Sequence, residues 1–293
     1  MPSILPRLTA LVARGDDLPA LPALLLQLHH VLHDERAGAW NIADVIERDP
    51  ALTARLLRAA NSAAFSRGQP LTSVVSAVSR LGREHVRAIC VVHAVSDAFG
   101  AGRGRLDARA FWAHSATVAA LTSNLWVRVG DLRAVSADEA YVVGLLHDVG
   151  LLVLDRHFPD EFAALLAARI ESDEPLGALE QRLHGVDHGT VGGLMIGRWS
   201  MPAYVADAIS HHDEPDAAPE TARRLAMVLA AAEGMCWQMD LGLLVEGRPV
   251  ELPAILLRRL GVPAAEVRRI IDATLDVHAF AEGFLAPGLS SAA

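Results

Sequence analysis

Six residues of the chain have the types and spacing to hold a metal ion: His114, the adjacent pair His147-Asp148, His188, and the adjacent pair His211-His212. Neutral imidazoles mixed with one carboxylate suit Mn, Fe, Co, Ni or Zn, whereas Mg and Ca prefer shells made of oxygen. His147-Asp148 stands just ahead of Gly150, where a helix is expected to end, so both side chains can turn into one cleft. A carboxylate there could bridge two ions, with His114 and His188 completing the shells from separate helices. The plainer alternative for any one of these histidines is a hydrogen-bonded place in the core, and His114 shares a helical face with Phe111, Val118 and Leu125. His29-His30 and His33, beside Asp34 and Glu35, read as a solvated face. No P-loop, GxGxxG, GxSxG or paired CxxC supports a nucleotide-binding, serine-hydrolase or zinc-ribbon chemistry.

The elements that must position those side chains are helices, because apolar residues recur every three to four positions almost throughout. Leu21, Leu24, Leu25, Leu28 and Leu32 form one apolar stripe. Asn41 to Asp44 reads as a cap opening a helix with Ile42, Val45 and Ile46. Asp49-Pro50 places an N-cap before a proline at the first helical position, where its missing N–H is harmless. Thr72 is expected to cap the next helix and Gly82 to close it. A further helix runs to about Phe99. Gly100 to Gly104 is the most flexible interior stretch and marks a subdomain boundary. Beyond it come a long helix from Asp107 to about Val129 and a capping box at Ser136 and Glu139. Helical patterns continue through 160–172, 176–183, 191–198, 203–211 and 221–239, then 255–260 and 264–284. A small hairpin is conceivable only within 241–252. The expected class is all-α: a multi-helix array with an N-terminal extension (1–14), an N-terminal helical subdomain (15–100), a second helical subdomain (105–240) and C-terminal helices (250–285).

With 293 residues, 52% hydrophobic and 21% charged, the chain can bury a large core, which excludes a disordered or disulfide-stapled protein. Its net charge is -9 and every one of its 26 basic residues is Arg. Such an acidic chain has no general attraction to phosphate backbones, so no nucleic-acid partner is expected. Cys90 and Cys236 fall in apolar helical stretches and read as buried free thiols in a reducing compartment. No signal-peptide pattern is found at the N-terminus. The uncharged run from Ala110 to Val127 carries too many polar residues to lie in a membrane. A cytoplasmic protein without a membrane partner is the expectation.

Several segments, in order, resemble HDOD proteins. They are Leu18-Pro-Ala-Leu-Pro22, Asp49-Pro-Ala-Leu-Thr-Ala-Arg-Leu-Leu-Arg58, Asn61-Ser62 and Ala77-Val-Ser-Arg-Leu-Gly82. The second half continues with Phe111-Trp-Ala-His-Ser115, Gly144-Leu-Leu-His-Asp-Val-Gly150, Trp199-Ser-Met-Pro202 and Ala208-Ile-Ser-His-His212. The resemblance covers roughly residues 15 to 240. It implies the fold of the HD-type metal-dependent phosphohydrolases, in a family regarded as a signalling output module usually without demonstrated catalysis. It also implies a metal site of His114, His147, Asp148, His188, His211 and His212, for Fe, Mn, Zn or Ni. In active HD-type hydrolases the metal activates a water for attack on phosphorus.

Two departures from the hydrolase pattern argue against turnover. Active members with an extended motif carry a Lys three residues after the Asp, where this chain has Leu151, so a group to neutralise phosphate charge is missing. Their last ligand is an Asp on the helix after the His pair, where only Glu233 can stand in, in a register the sequence leaves open. Asp213-Glu-Pro-Asp216 follows His212 in place of the Gly-Tyr-Pro of cyclic-di-GMP phosphodiesterases. The resulting expectation is a signalling protein that acts by binding a partner protein, its metal or ligand pocket not catalytic; the alternative is a divalent-metal-dependent phosphohydrolase. The partner surface is expected at Phe65 and Arg67, on the loop after the Asp49 helix, and on the neighbouring Arg80–Arg87 helix, where Arg80, Arg83 and Arg87 follow the helical spacing of a stripe that ordinarily pairs with acidic neighbours or stays solvated.

Overall fold

The computed structural model describes residues 3–14, 18–19, 27, 31, 36–63, 65, 68–99, 104–243 and 252–284, and every regular element among them is helical. The expected all-α class holds. The leucine stripe of 21–32, His29, His30, His33, Arg67 and most of the Gly100–Gly104 linker lie outside the described residues. The chain divides into two compact units: residues 1–19 with 103–279, and residues 20–102 with 280–293.

The smaller unit contains α1 (Ala39–Ile46), α2 (Pro50–Ala60) and α3 (Val74–Phe99). Asn41 is not the N-cap of α1. Gly38 is, and the Asn41 side chain accepts from the Gly38 N–H at 3.0 Å, so the cap signal sits three residues inside the helix. Asp49 caps α2 as expected, its Oδ1 accepting from Ala51 and Leu52. The next cap is Ser73 rather than Thr72, through a 3.4 Å bond from the Ser76 N–H. Gly82 breaks α3 with φ 78°, a left-handed conformation that costs a residue with a Cβ. Asn61 braces the loop after α2 by exchanging two hydrogen bonds with Leu71.

The expected partner surface of this unit is largely used internally. The Phe65 ring meets His85 and Phe280 edge-on, at centroid distances of 4.9 and 5.2 Å. Arg80 donates to the Ala60 carbonyl, Arg83 to that of Ala37, and Arg87 is buried. The Arg80 and Arg83 guanidinium groups thus satisfy backbone oxygens rather than acidic neighbours.

Asp49 also carries a stability prediction. Partial burial raises its carboxyl pKa, but the N–H of Leu52, His93 at 2.9 Å and the N–H of Ala51 outweigh that and hold it below the usual carboxylate range. A lowered folded-state pKa stabilises above the unfolded value and loses that stabilisation as pH falls through the folded value. Asp49→Ala should therefore cost about 1 kcal/mol at neutral pH, as for other N-caps, and much less in acid. Urea midpoints of the two proteins at neutral and acid pH test this; a gap independent of pH would assign the loss to packing alone.

The larger unit begins with α4 (Leu5–Arg14). It continues through α5 (Ala108–Val129), α6 (Ala137–Leu146), α7 (Val149–His157), α8 (Pro159–Glu171), α9 (Leu176–His184), α10 (His188–Arg198), α11 (Ala203–Ser210), α12 (Glu220–Gln238), α13 (Leu252–Leu260) and α14 (Ala264–Phe284), of which residues 280–284 count with the smaller unit. Local chemistry sets many of these boundaries. Asp107 caps α5 through the N–H groups of Arg109 and Ala110, and Ser136 with Glu139 forms a complete capping box on α6. α5 is buried along most of its length and packs against α6 and α12, while α10 packs against α7 and α11. The segment 104–107 is tied down by Asp155, which accepts from the N–H groups of Arg105 and Leu106 at 2.7 and 3.1 Å. Residues 241–243 have no regular structure, and the rest of the conceivable hairpin, to 251, lies outside the described residues. Cys90 and Cys236 are buried free thiols. Among the described residues no helix is long and apolar enough to cross a membrane.

The junction of α6 and α7 departs from expectation. Gly150 does not end a helix; it lies in the first turn of α7, immediately after the short break at His147-Asp148. Its role is close approach. A Cβ built on Gly150 would lie 2.0 Å from the His188 carbonyl oxygen and 2.8 Å from the Gly192 nitrogen, so the absent side chain lets α10 pack backbone against backbone.

Candidate metal centre

Five of the six expected residues converge. His114 comes from the second turn of α5, His147 and Asp148 from the α6–α7 break, His188 from the first position of α10, and His212 from the turn after α11. None is more than 3% exposed. The sixth, His211, turns aside: its Nδ1–H donates to the Asp207 carbonyl at 2.8 Å, and it belongs to none of the groupings able to share one ion. At the end of α11 the two adjacent side chains leave about 100° apart, so His212 faces inward and His211 does not.

Asp148 is the hub. Its Oδ2 lies 3.6 Å from His114 Nε2 and 3.3 Å from His147 Nε2. Its Oδ1 lies 3.4 Å from His188 Nε2 and 4.0 Å from His212 Nε2. Each carboxylate oxygen thus serves its own pair of imidazoles, and each set of three can gather around an ion.

The outward-facing ring nitrogens are all engaged. His114 Nδ1–H donates to the Leu241 carbonyl at 3.1 Å, His147 Nδ1–H to Gly144 at 2.8 Å and His212 Nδ1–H to Ile209 at 2.7 Å. A carbonyl only accepts, so the proton of each ring sits on Nδ1 and Nε2 offers a lone pair to the centre. His188 Nδ1–H is held by the Glu180 carboxylate at 2.6 Å. His188 Nε2 and His212 Nε2 then face each other at 3.2 Å. Two lone pairs at that distance repel unless a proton or a cation stands between them. His147 Nε2 and Asp148 Oδ1 are buried without a hydrogen-bond partner, the other mark of atoms awaiting an ion. The donor set therefore fits a transition metal.

The electrostatics agree. Burial would push the Asp148 carboxyl up, but His147 and His188 hold it well below the usual carboxylate range. Burial opposes charge on His188, yet Glu180 and Asp148 lift its pKa well above the ordinary imidazole value. His147 is raised against burial by Asp148, while burial draws His114 down to about 4.

Sequence reasoning missed two carboxylates here. Glu180, fully buried on α9, bonds both the backbone N–H and the ring of His188. Its signal was a charged residue on a helical face otherwise filled by buried Gly177, Leu179 and His184. Asp213 joins Glu233 beside His212, at 3.9 and 3.7 Å from its Nε2. Leu151, where active hydrolases carry Lys, is buried at 1% exposure.

Comparison with known proteins places the chain. A solved HDOD domain protein of unknown function from Geobacter sulfurreducens is 28% identical and superimposes with a TM-score of 0.75, covering 96% of this chain and 99% of its own. A Shewanella amazonensis protein provisionally named a phosphohydrolase shares the fold at 24% identity and TM-score 0.71, over 95% of this chain and 98% of its own. A Marinobacter aquaeolei protein provisionally named for signal transduction does so at 23% and 0.74, over 92% of this chain and 60% of its own. An uncharacterized protein of Treponema pallidum (strain Nichols) is 27% identical over 233 residues, 77% of this chain and 44% of that relative, so the chain spans less than half the relative's length. The HDOD domain family model matches residues 18–215, most of the chain, and the protein therefore belongs to the HDOD domain family.

Proposed function

We propose that this chain is a signal-transduction output protein that acts by binding a partner protein, with a buried transition-metal centre that stabilises or regulates it without turnover. The observation that carries this reading is the enclosure of the centre. Four imidazoles aim their Nε2 atoms at Asp148, yet no ligand atom of that inner set has meaningful exposure. His114, His147, Asp148, His188 and His212 would hold the ion, which would supply Lewis acidity when bound. The chain's own residues do the rest. They exclude water, fix each imidazole through its Nδ1–H and leave the nearest partly exposed groups, Asp213 and Glu233, acidic. A phosphoester anion approaching that side meets two carboxyl side chains and, with Leu151 in place of a lysine, no cationic side chain there to balance its charge. In the smaller unit, Trp40 stands 75% exposed, a residue type that dominates binding energy at protein interfaces.

One observation favours the second reading, a metal-dependent phosphohydrolase. Asp148 presents one oxygen to His114 and His147 and the other to His188 and His212, the bridging posture used by two-metal phosphoryl-transfer sites.

The discriminating experiment uses protein purified without a histidine tag. Elemental analysis should find roughly one or two equivalents of transition metal per chain, and adding Mn²⁺ or Co²⁺ to stripped protein should raise the melting temperature. Assays with bis-p-nitrophenyl phosphate and a set of nucleotides should show no hydrolysis above a metal-only blank. Turnover that tracks metal content would establish the phosphohydrolase instead, and an absence of both binding and thermal shift would remove the metal from either reading.

A further inference from the structure

We propose that Glu180 is a positioning residue for the metal centre: its carboxylate fixes the His188 ring and raises the electron-donating power of Nε2 toward the bound cation. The inference rests on the reading of the centre as a metal site. Glu180 has no solvent exposure, and one of its oxygens, Oε2, accepts from both the His188 backbone N–H at 2.8 Å and the His188 Nδ1–H at 2.6 Å. The other oxygen, Oε1, is buried with no hydrogen-bond partner. A carboxylate is costly in such a place, and a neutral amide or a backbone carbonyl would orient the ring as well. The other three central histidines are in fact held by backbone carbonyls. His188 alone has an anion behind it.

Position supports the same conclusion. Glu180 lies mid-way along α9 and His188 opens α10, so the two bonds tie the body of one helix to the start of the next and set the ring's direction. On the far side, His188 Nε2 faces Asp148 Oδ1 at 3.4 Å. The row Glu180–His188–metal is the arrangement by which a carboxylate makes an imidazole a stronger ligand, and removing such an outer carboxylate typically weakens metal binding about 10–100-fold.

Glu180→Gln is the informative change, because its amide oxygen can still accept both bonds while the negative charge is gone. Full-length wild type and variant, stripped of metal, are titrated with Co²⁺, following the visible ligand-field bands and the melting temperature. Glu180→Gln should keep the metal-free fold by circular dichroism and bind Co²⁺ about 10–100-fold more weakly, with shifted bands. Glu180→Asp, which keeps the charge on a shorter stem, should bind more tightly than Gln. Equal affinity and spectra in wild type and Glu180→Gln would show that Glu180 only secures the helix junction, overturning the proposal while leaving the metal site intact. Wild type that binds no Co²⁺ would overturn both. Should Glu180→Gln not fold, nitrogen chemical shifts of the wild-type His188 ring loaded with Zn²⁺ decide the matter: a proton on Nδ1 is expected, and a ring ligating through Nδ1 would overturn the proposal.

Discussion

Asp148→Ala should abolish metal binding at the proposed centre and destabilise the larger unit at the same time. The carboxylate is within 4.0 Å of all four inward imidazole nitrogens, and it supplies a ligand atom to both inner groupings. Without it, each grouping keeps two imidazoles and no anion, too few donors to hold a transition metal against water. The same change strips charge compensation from His147 and His188, whose pKa values Asp148 helps raise. Removing one partner from a buried charged set costs about 3–5 kcal/mol. For a domain of this size that corresponds to a melting temperature lower by ~10 °C. Differential scanning calorimetry with and without Co²⁺, alongside elemental analysis, reads both effects. A variant that retains its metal would exclude Asp148 as the hub, and an unshifted metal-free transition would mean that the imidazoles need no counter-charge.

The second large effect is expected at a residue without functional groups. Gly150→Ala puts a methyl where the His188 carbonyl oxygen stands, 2.0 Å away, with the Gly192 nitrogen at 2.8 Å. Both obstacles are backbone, so no rotamer change relieves them and α7 must move away from α10. Overpacking of this kind costs about 1–3 kcal/mol or more, against a helix-propensity gain of at most ~1 kcal/mol. Asp148 precedes α7 and His188 opens α10, so the same displacement should separate the two ligands and weaken Co²⁺ binding. Gly197→Ala is the control: it lies on α10 with open space around its Cβ position and should be neutral or slightly stabilising. If Gly150→Ala melts and binds metal like the parent, the close approach of α7 and α10 does not set the ligand geometry.

Much of the helical framework was legible because its signals are local. The caps at Asp49 and Ser136–Glu139 act on N–H groups two or three residues away, and Gly82 acts on its own φ angle. Such chemistry can be read wherever it occurs in a chain. Local rules slipped by a few residues at Asn41, where the cap interaction runs backward to Gly38, and at Thr72, where neighbouring Ser73 does the capping. They missed α7 altogether. Val149–His157 follows the previous helix after a two-residue break and carries no side-chain cap, so nothing local announces a new element.

The sequence by itself determined the helical class, the HDOD resemblance and the residue types of the centre, because periodicity, caps and ordered motifs are properties of the chain. Only the tertiary structure decided which side chains meet. It selected His212 over His211, turned Gly150 from a helix end into a contact point, seated Phe65 against His85 and Phe280, and drew Glu180 and Asp213 into the neighbourhood of the imidazoles. The reason is geometric. A ligand set assembled from α5, the α6–α7 break, α10 and the turn after α11 depends on how those helices cross and rotate, and a rotation of one residue, about 100°, exchanges an inward side chain for an outward one.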